Sequence, residues 1–328
     1  MRVMTEILEG PTAIATGVDR LTNGQLVAFP TETVYGLGAD ALDGDAVAKV
    51  FALKGRPATN PLIVHVSGIR MAKTVVAQWT QEAELIAKAY WPGPVTIVLA
   101  KADCVPGIVC ANGDTVAVRC PAHPCALALI EAFGKPIVGP SANPSGRISP
   151  TTPEHVADGF GDADLIVIDG GHCRAGIEST VVDLTGEVPK VLRPGIVGAY
   201  AIGETLGKPV ECVTQQAEGS VARSPGIVGS HYQPKTPTRL VSTESLASVD
   251  ESVVLIAWSI DTHPANGSLI SMPSELGAYA SAIYRALHDA DKVGGEEIWI
   301  EEPMDGSSTK DQAIRAAIME RLGRATHG

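Results

Sequence analysis

Residues 25–38 read Gln25-Leu-Val-Ala-Phe-Pro-Thr-Glu-Thr-Val-Tyr-Gly-Leu-Gly38. The run 25–29 is short and mostly apolar, which is typical of a buried strand when turn residues bound it. Pro30 ends the run, because proline has no N–H to donate to a sheet. Two hydroxyls and a carboxylate follow at once, on Thr31, Glu32 and Thr33. The stretch therefore predicts a strand whose end presents polar groups, and this pattern recurs along the chain.

From residue 24 to about residue 201, short β-like runs alternate with helical stretches. The predicted strands are residues 25–29, 62–66, 95–99, 115–119, 136–139, 165–168, 179–183 and 190–193, and the predicted helices are 45–53 and 82–90. Many short strands with few helices favour an α/β domain built on a mixed sheet over a strict βαβ repeat.

The pattern fades between about residues 203 and 237, where Ser224 to Pro234 is rich in turn-forming residues and has no apolar period. A second βαβα pattern follows, with strands at 253–257 and 297–300 and helices at 275–289 and 310–324. We therefore predict three parts: a mixed twisted-sheet domain over 1–205, a linker over 206–237, and a smaller Rossmann-like α/β domain over 238–328.

Composition narrows the class of protein. Apolar residues make up 45% of the 328 and charged residues 19%, which is typical of a globular protein. Lys and Arg total 25 against 37 Asp and Glu, a net charge of −12, whereas nucleic-acid binding usually needs a basic face. No apolar run reaches the roughly 20 residues of a membrane span, and the first twenty residues lack a signal-peptide pattern. We predict a cytoplasmic protein with a small-molecule substrate and no membrane partner.

Six cysteines could be mistaken for a disulfide framework, but in a cytoplasmic chain of this size reduced thiols are the better interpretation. The segment Cys120-Pro-Ala-His-Pro-Cys125 has no second ligand pair at a zinc-site spacing. Its two prolines favour a turn between a strand and a helix.

Standard nucleotide fingerprints are missing. The chain has no Gly-x-x-x-x-Gly-Lys-[Ser/Thr], which excludes a P-loop. Gly36-Leu-Gly38 imitates a dinucleotide motif, but Pro30 to Thr33 separate it from the preceding strand. In a Rossmann unit those glycines occupy the first strand-to-helix turn, so the match is weak.

Polar and cationic residues instead recur at the ends of the predicted elements. They are Lys54-Gly-Arg-Pro57, His65, Arg119, Ser141-Ala-Asn143, Glu178-Ser-Thr180 and Arg193-Pro-Gly195. Each has an ordinary explanation alone, since cations favour helix C-termini and Ser, Asn and Gly favour turns. Together, at the strand ends where open α/β sheets bind ligands, they favour a polyanion, with a nucleoside triphosphate as the leading candidate.

Four motifs along the chain, in this order, resemble the signature set of the threonylcarbamoyl-AMP synthases. They are the stretch 29–38, Lys54-Gly-Arg-Pro57, Ser141-Ala-Asn143 and Ser224-Pro-Gly with His231-Tyr232. The resemblance spans nearly the whole chain and implies a YrdC-like first domain in the two-domain long form. It also implies the reaction of ATP, L-threonine and bicarbonate to threonylcarbamoyl-AMP and pyrophosphate. A downstream tRNA threonylcarbamoyl transferase complex would then modify tRNA, whose binding this first step does not require.

The resemblance also assigns residues. Those expected to bind L-threonine are Thr33, His65, Arg119, Ser179 and the backbone of Gly139. Those expected to bind ATP are Arg56, Asn60, Thr115, Ser141, Ser149, Arg193 and Tyr232, with Asn143 as a further candidate. Lys54 and Arg56 are expected to be catalytic. Pro140 departs from the threonine that related sequences often carry there, but the contact expected at this position is with the main chain.

These roles fit the chemistry. A carbamate oxygen must attack the α-phosphorus, so positioning and charge neutralisation are the main demands. Mg²⁺ would be bound mainly by the ATP phosphates and would have few protein ligands. Tyr232 and the linker could form a lid that protects the labile carbamate, although a plain tether is the alternative.

Three rival functions stay open. The first is an RNA-binding module, which a salt-dependent gel shift would reveal. The second is a carbamoyl-transfer enzyme using carbamoyl phosphate, although such proteins carry zinc-finger cysteine pairs and no Cys-x-x-Cys occurs here. The third is a sensor that binds ATP or threonine without turnover.

Overall fold

The computed structural model describes residues 4–213 and 232–326. The strands of the first unit are β1 Glu6–Leu8, β2 Val27–Phe29, β3 Gly36–Asp40, β4 Ile63–His65, β5 Val95–Ala100, β6 Thr115–Arg119, β7 Ile137–Val138, β8 Ile166–Ile168, β9 Thr180–Asp183, β10 Lys190–Arg193 and β11 Glu211–Cys212. Its helices are α1 Gly10–Thr22, α2 Gly44–Lys54, α3 Ile69–Ala72, α4 Gln81–Tyr90, α5 Pro124–Phe133, α6 Pro153–Phe160 and α7 Ala199–Leu206. A 3₁₀ turn spans Gly107–Cys110.

The strands of this unit form one mixed sheet in the order β1-β8-β2-β3-β7-β4-β6-β5-β9-β10-β11. β2 and β3 are antiparallel, whereas β4 and β6 are parallel, and so are β5 and β9. The prediction of a mixed α/β sheet is confirmed. Both faces of the central strands are buried, which explains why their sequences are nearly continuous apolar runs.

The register of the central strands brings their polar ends to one edge of the sheet. His65 lies opposite Arg119 in the parallel pair β4 and β6. Gly139 directly follows β7, whose Ile137 lies opposite His65. Gly36, at the start of β3, forms a bridge with Ser141. The ends of strands that are distant in sequence therefore converge at the same sheet edge.

The Gly36-Leu-Gly38 segment is part of β3 and makes no phosphate-binding turn. Its glycines let the strand pass the ring of Phe29, because a Cβ at Gly36 would lie 2.9 Å from that ring and one at Gly38 would lie 3.2 Å from it. The Cys120–Cys125 segment leads into α5, where the Nδ1 atom of His123 accepts a hydrogen bond from the Cys125 N–H at 3.2 Å and caps the helix. All six cysteines are free.

The second unit carries a parallel sheet in the order β12-β15-β13-β14. Its elements are β12 Thr238–Val241, a 3₁₀ turn Thr243–Ser248, β13 Val253–Ala257, β14 Leu269–Ser271, α8 Leu276–Val293, β15 Glu297–Glu301 and α9 Thr309–Thr326. Glu275 caps α8 by accepting from the N–H groups of Gly277 and Ala278. The predicted smaller Rossmann-like domain is confirmed.

The two units share an apolar interface. Val34, Ile148 and Ile177 of the first unit belong to one buried cluster with the inner faces of α8 and α9. Gly176 makes the close approach possible, because a Cβ there would lie 2.4 Å from the carbonyl oxygen of Ala280 on α8. Its φ of +69° is also a conformation that favours glycine.

Part of the predicted linker, residues 214–231, lies outside the described residues. β11 follows the predicted boundary at residue 205 and still pairs with β10 of the first sheet. Within residues 4–213 and 232–326, no helix combines the length and the apolar character needed to cross a membrane. The cytoplasmic location stays a prediction.

Candidate active site

A cavity of about 50 Å³ lies at the sheet edge where the polar strand ends converge. Eight of the predicted site residues line it: Thr33, Arg56, His65, Arg119, Gly139, Ser141, Arg193 and Tyr232. Residues at the ends of four strands thus meet residues of several loops around one space. The separate motifs in the sequence could only indicate these residues one by one.

Arg119 is held rigidly at the end of β6 and is only 3% exposed. Its Nε donates to the carbonyl oxygen of Gly93 at 3.2 Å, and one terminal nitrogen donates to Thr33 Oγ1 at 2.9 Å. The other terminal nitrogen lies 2.7 Å from Glu32 Oε1. A guanidinium fixed on three sides presents its remaining N–H groups in a set direction, which suits the binding of a carboxylate.

His65 lies beside Arg119 and is neutral. Burial, followed by the positive charge of Arg119, lowers its pKa to about 3. Its Nδ1 points at Gly139, since a Cβ there would lie 2.6 Å from this nitrogen. The ring of Phe29 packs edge-on against the imidazole, with ring centroids 5.7 Å apart. His65 therefore offers a neutral ring nitrogen close to the Gly139 backbone.

The C-terminus of α2 supplies two cations with different surroundings. Lys54 is 3% exposed, and its Nζ donates to the carbonyl oxygens of Ser141 and Asn143. Burial, with a smaller effect of Arg56, holds the pKa of Lys54 well below its usual range. Lys54 thus fixes the 141–143 loop from behind the cavity wall.

Arg56 lines the cavity itself. Its guanidinium donates to the carbonyl oxygens of Asn60 and Pro61 at 3.2 and 2.9 Å. Burial lowers its pKa to about 10, so it remains charged at neutral pH. The side chain of Asn60 is buried, and its Oδ1 makes no hydrogen bond.

Arg193 and Ser179 form the opposite wall. Nε of Arg193 donates to the Ser179 carbonyl oxygen at 3.1 Å, and a terminal nitrogen lies 3.1 Å from Ser179 Oγ. The Ser179 hydroxyl also bonds to Thr96 Oγ1 at 2.7 Å. Ser179 therefore lies just behind the lining residues and orients the arginine.

Glu178 lines the cavity although the sequence did not predict it as a site residue. Its Oε1 accepts a hydrogen bond from Ser149 Oγ at 2.8 Å. Burial would raise the pKa of Glu178, but the charges of Arg321 and Arg193 and hydrogen bonds from Ser149 and Tyr284 lower it. The carboxylate is therefore ionised. Its neighbour Ser179 in the Glu178-Ser-Thr motif was the available signal in the sequence.

Tyr232 closes the cavity on the side of the second unit. It is 5% exposed and stacks on Tyr284 of α8 with ring centroids 5.3 Å apart. Its φ of +67° is uncommon for a bulky residue, so the surrounding contacts must hold it there. His231, its partner in the sequence motif, lies outside the described residues.

Besides Lys54 and Ser179, which lie behind the wall, four predicted residues do not line this cavity: Asn60, Thr115, Asn143 and Ser149. Thr115 begins β6, whereas Arg119 ends it, which separates them by about 13 Å of strand. Thr115 lines a different surface pocket with Asp183 and Lys190. Asn143 faces a neighbouring cavity between the two units, and its amide nitrogen donates to the carbonyl oxygens of Pro144 and Arg147.

The chemistry that these walls allow is anion binding in a confined space. Three guanidinium groups, on Arg56, Arg119 and Arg193, line the cavity, and they flank hydroxyls and a neutral imidazole. Among residues 4–213 and 232–326, no group of three or more His, Cys, Asp or Glu side chains could hold a metal ion. The arrangement fits an oxyanion-rich ligand next to a carboxylate.

Comparison with known proteins gives the family. Residues 19–195 match a family model described as "Telomere recombination", and residues 196–326 match one described as "Threonylcarbamoyl-AMP synthase, C-terminal domain". The chain is 37% identical to the threonylcarbamoyl-AMP synthase of Pyrococcus abyssi, over 99% of this chain and 97% of that protein. It is 35% identical to the threonylcarbamoyl-AMP synthase of Bacillus subtilis, over 99% and 96% of the two chains.

The fold agrees with these matches. The crystal structure of P. abyssi Sua5 complexed with L-threonine superposes with a TM-score of 0.87 at 34% identity, covering 99% of this chain and 98% of that one. This chain and P. abyssi Sua5 therefore share both the first unit, with its mixed sheet, and the smaller second unit, with its parallel sheet. The chain belongs to the threonylcarbamoyl-AMP synthase family.

Proposed function

We propose that this protein joins ATP, L-threonine and bicarbonate into threonylcarbamoyl-AMP with release of pyrophosphate, the first step of tRNA threonylcarbamoyladenosine modification. The observation that supports the proposal is the meeting, in one cavity, of four residues expected to bind threonine with four expected to bind ATP. Reactants held side by side in a confined site gain the rate advantage of an intramolecular reaction.

Threonine would bind at the Arg119 end of the cavity. The free N–H groups of the Arg119 guanidinium would hold the carboxylate, and the Thr33 hydroxyl, bonded to Arg119 at 2.9 Å, would contact the substrate beside it. His65 and the Gly139 backbone would complete this end. Because His65 is neutral, it adds no positive charge that would repel the substrate's amino group.

The chemistry then needs two bond-forming steps. The amine nitrogen of threonine attacks the carbon of bicarbonate, and water leaves as the carbamate forms. A carbamate oxygen next attacks the α-phosphorus of ATP, and pyrophosphate leaves with the bonding electron pair. The cations Arg56 and Arg193 would neutralise the negative charge that develops on the phosphate oxygens.

The other residues assigned to ATP would support this end of the site. Lys54 fixes the loop that carries Ser141, and Asn60 offers a buried amide oxygen without a hydrogen bond. Mg²⁺ would arrive on the ATP phosphates, which would supply its oxygen ligands, and it would add further charge neutralisation there. The released adenylate would pass to a downstream tRNA transferase complex.

Tyr232 would act as part of a lid. A volume of about 50 Å³ has room for only a few water molecules, so an outward movement of the wall would make room for the nucleotide. Tyr232 forms that wall, and its left-handed backbone conformation is held by contacts with the second unit. Closure after binding would keep water from the labile carbamate.

The test is pyrophosphate release from ATP by the purified protein, with L-threonine, bicarbonate and Mg²⁺ each present or omitted. We expect release only when all are present, and near-complete loss in Arg56→Met with the fold retained. A matched control is Arg315→Met, because Arg315 binds carbonyl oxygens within the second unit. Binding of ATP without pyrophosphate release in any combination would contradict the proposal and favour a sensor.

A further inference from the structure

The hydroxyl of Thr31 is committed to its own turn. Its Oγ1 donates to the carbonyl oxygen of Val34 at 2.6 Å and accepts from the backbone N–H groups of Thr33 and Val34, each at 3.1 Å. A fourth contact joins the Oγ1 atoms of Thr31 and Thr33 at 2.9 Å. Both threonines are buried, and both line the active-site cavity. The turn therefore continues directly into the wall of the site.

The Thr31 hydroxyl determines the direction of the Thr33 hydroxyl. A hydroxyl carries one proton and a carbonyl oxygen can only accept, so the Thr31 proton lies in the contact with Val34. The contact between the two hydroxyls also needs a proton, because two oxygen atoms at this distance would otherwise repel each other. Only Thr33 has a proton left for it. Thr33 is therefore the donor in this pair, and Thr31 is the acceptor.

Arg119 uses one of the two lone pairs of Thr33 Oγ1. A guanidinium has only donors, so Arg119 donates to Thr33 in the contact of 2.9 Å. No further group among the residues that the structure describes bonds to this hydroxyl. Because its proton is directed at Thr31, Thr33 has one lone pair to offer to a ligand and no proton. At this point the cavity can accept a hydrogen bond but cannot donate one.

The positive charge of Arg119 selects among the donors that a ligand could offer. An amino acid whose carboxylate binds Arg119 carries an amino group and, in L-threonine, a hydroxyl. An ammonium bonded to Thr33 Oγ1 would lie within about 6 Å of the Arg119 nitrogen that bonds to the same oxygen, where like charges repel. A neutral hydroxyl meets no such repulsion. The lone pair of Thr33 therefore suits the hydroxyl of the substrate.

We propose that Thr31 is a positioning residue that sets the substrate specificity: it holds the Thr33 hydroxyl as an acceptor, so the site selects an amino acid whose side chain donates a hydrogen bond. This inference rests on the proposed function, because it takes L-threonine as the ligand at Arg119. It gives a direction to the contact between Thr33 and the substrate, and it gives a role to Thr31, which is not among the residues expected to bind either substrate.

The first experiment compares L-threonine with two analogues in the pyrophosphate-release assay. L-α-aminobutyrate lacks the hydroxyl, whereas O-methyl-L-threonine keeps the oxygen but has no proton to donate. We expect the wild type to use both with a kcat/KM at least about tenfold below that for L-threonine, because each leaves the Thr33 lone pair without a donor. If the wild type used O-methyl-L-threonine better than L-α-aminobutyrate, Thr33 would be donating and the inference would be overturned.

Thr31→Val separates positioning from general support of the fold. Valine keeps the shape of the side chain and removes the acceptor of the Thr33 proton, which can then turn towards a ligand. The preference for L-threonine over O-methyl-L-threonine should shrink by about tenfold, whereas the preference over L-α-aminobutyrate should persist. The extra methyl group of the analogue is the same in both enzymes, so its steric effect cancels in this comparison. A purely structural role of Thr31 would change both preferences alike and would refute the inference.

Thr31→Ser is the matched control, because serine keeps the hydroxyl, and both preferences should stay at their wild-type values. Thermal unfolding shows whether each variant folds. If Thr31→Val does not fold, Thr33→Val takes its place: it removes the acceptor itself and should abolish most of the preference over L-α-aminobutyrate. A preference that survived in Thr33→Val would overturn the inference.

A second readout distinguishes failure of this inference from failure of the proposed function. If the wild type releases no pyrophosphate with L-threonine, the proposed function fails. Calorimetric titration of the same proteins with the three amino acids then gives the same preferences as ratios of Kd. Equal Kd values of the wild type for L-threonine and L-α-aminobutyrate would refute the role of Thr31, and a ratio of about tenfold or more that Thr31→Ser retains would support it.

Discussion

Replacing Gly139 with alanine should damage the threonine end of the site through a steric clash with two buried rings. The added methyl carbon would lie 2.6 Å from His65 Nδ1 and 2.9 Å from the Phe29 ring, where ordinary contact begins at 3.4 Å. His65 would have to move by about 0.8 Å, which follows from the difference between 2.6 and 3.4 Å. Both rings are almost fully buried, so neither can swing into solvent.

The expected loss of stability in Gly139→Ala follows from the free-energy cost of overpacking a core. We expect the free energy of unfolding to fall by about 1–3 kcal/mol. We also expect the KM for L-threonine to rise by about tenfold as His65 leaves its position, with little change in the KM for ATP. Urea denaturation measures the first effect, and pyrophosphate release at varied threonine concentration measures the second.

Gly323→Ala is the matched control for Gly139→Ala. It adds the same methyl group within α9, where nothing lies within 4 Å, and should stabilise the protein by up to about 1 kcal/mol. If Gly139→Ala left both the unfolding free energy and the KM for L-threonine at their wild-type values, the close packing of His65 on Gly139 would be wrong.

Three further results are expected. Arg119→Lys should raise the KM for L-threonine by at least about tenfold, because a compact ammonium cannot replace the planar guanidinium that reaches Gly93, Thr33 and a carboxylate from three separate nitrogens. An unchanged KM in steady-state assays would exclude Arg119 from the site. The free energy of unfolding should fall as pH drops from about 6.5 towards 4, because His65 has a folded pKa of about 3, so below pH 6.5 the unfolded chain binds a proton that the folded chain does not. In urea denaturation at pH 7 and 5, His65→Gln should show a slope shallower by up to about 1.4 kcal/mol per pH unit, and an equal slope would contradict the buried neutral state. Removal of Mg²⁺ with EDTA should abolish pyrophosphate release and excess Mg²⁺ should restore it, whereas release that persists in EDTA would remove the metal from the reaction.

The apolar runs predicted the central sheet well, because β4, β5, β6, β9 and β10 are buried on both faces and their sequences show it. α1, at Gly10–Thr22, was not predicted, since Gly10 and Gly17 lower its helix propensity and its N-cap Glu9 makes no side-chain capping bond. β3 was also not predicted as a strand, because its two glycines resemble a loop until Phe29 is seen packed against them.

The sequence could predict those site residues that directly end a strand, such as His65 and Arg119. His65 and Arg119 are separated by more than 50 residues of sequence, yet parallel pairing places them opposite each other. The contributions of Tyr284 and Arg321 could not be predicted, because they lie on the buried faces of helices in another unit. The amphipathic pattern of a helix does not tell which partner the helix packs against.

The apolar cluster shared by Val34, Ile148, Ile177 and the two C-terminal helices has a consequence for how such chains can be recombined. A chimera that exchanged the C-terminal half for one from a distant relative would have to match these side chains, the bare backbone at Gly176 and the partners of Glu178 at the same time. A mismatch at any one would expose apolar surface or leave a buried charge unpaired, and each of these is costly. The interface between the halves therefore restricts them to change as a matched pair, so an exchange of halves is expected to succeed only when Val34, Ile148 and residues 176–178 are matched to the new C-terminal half.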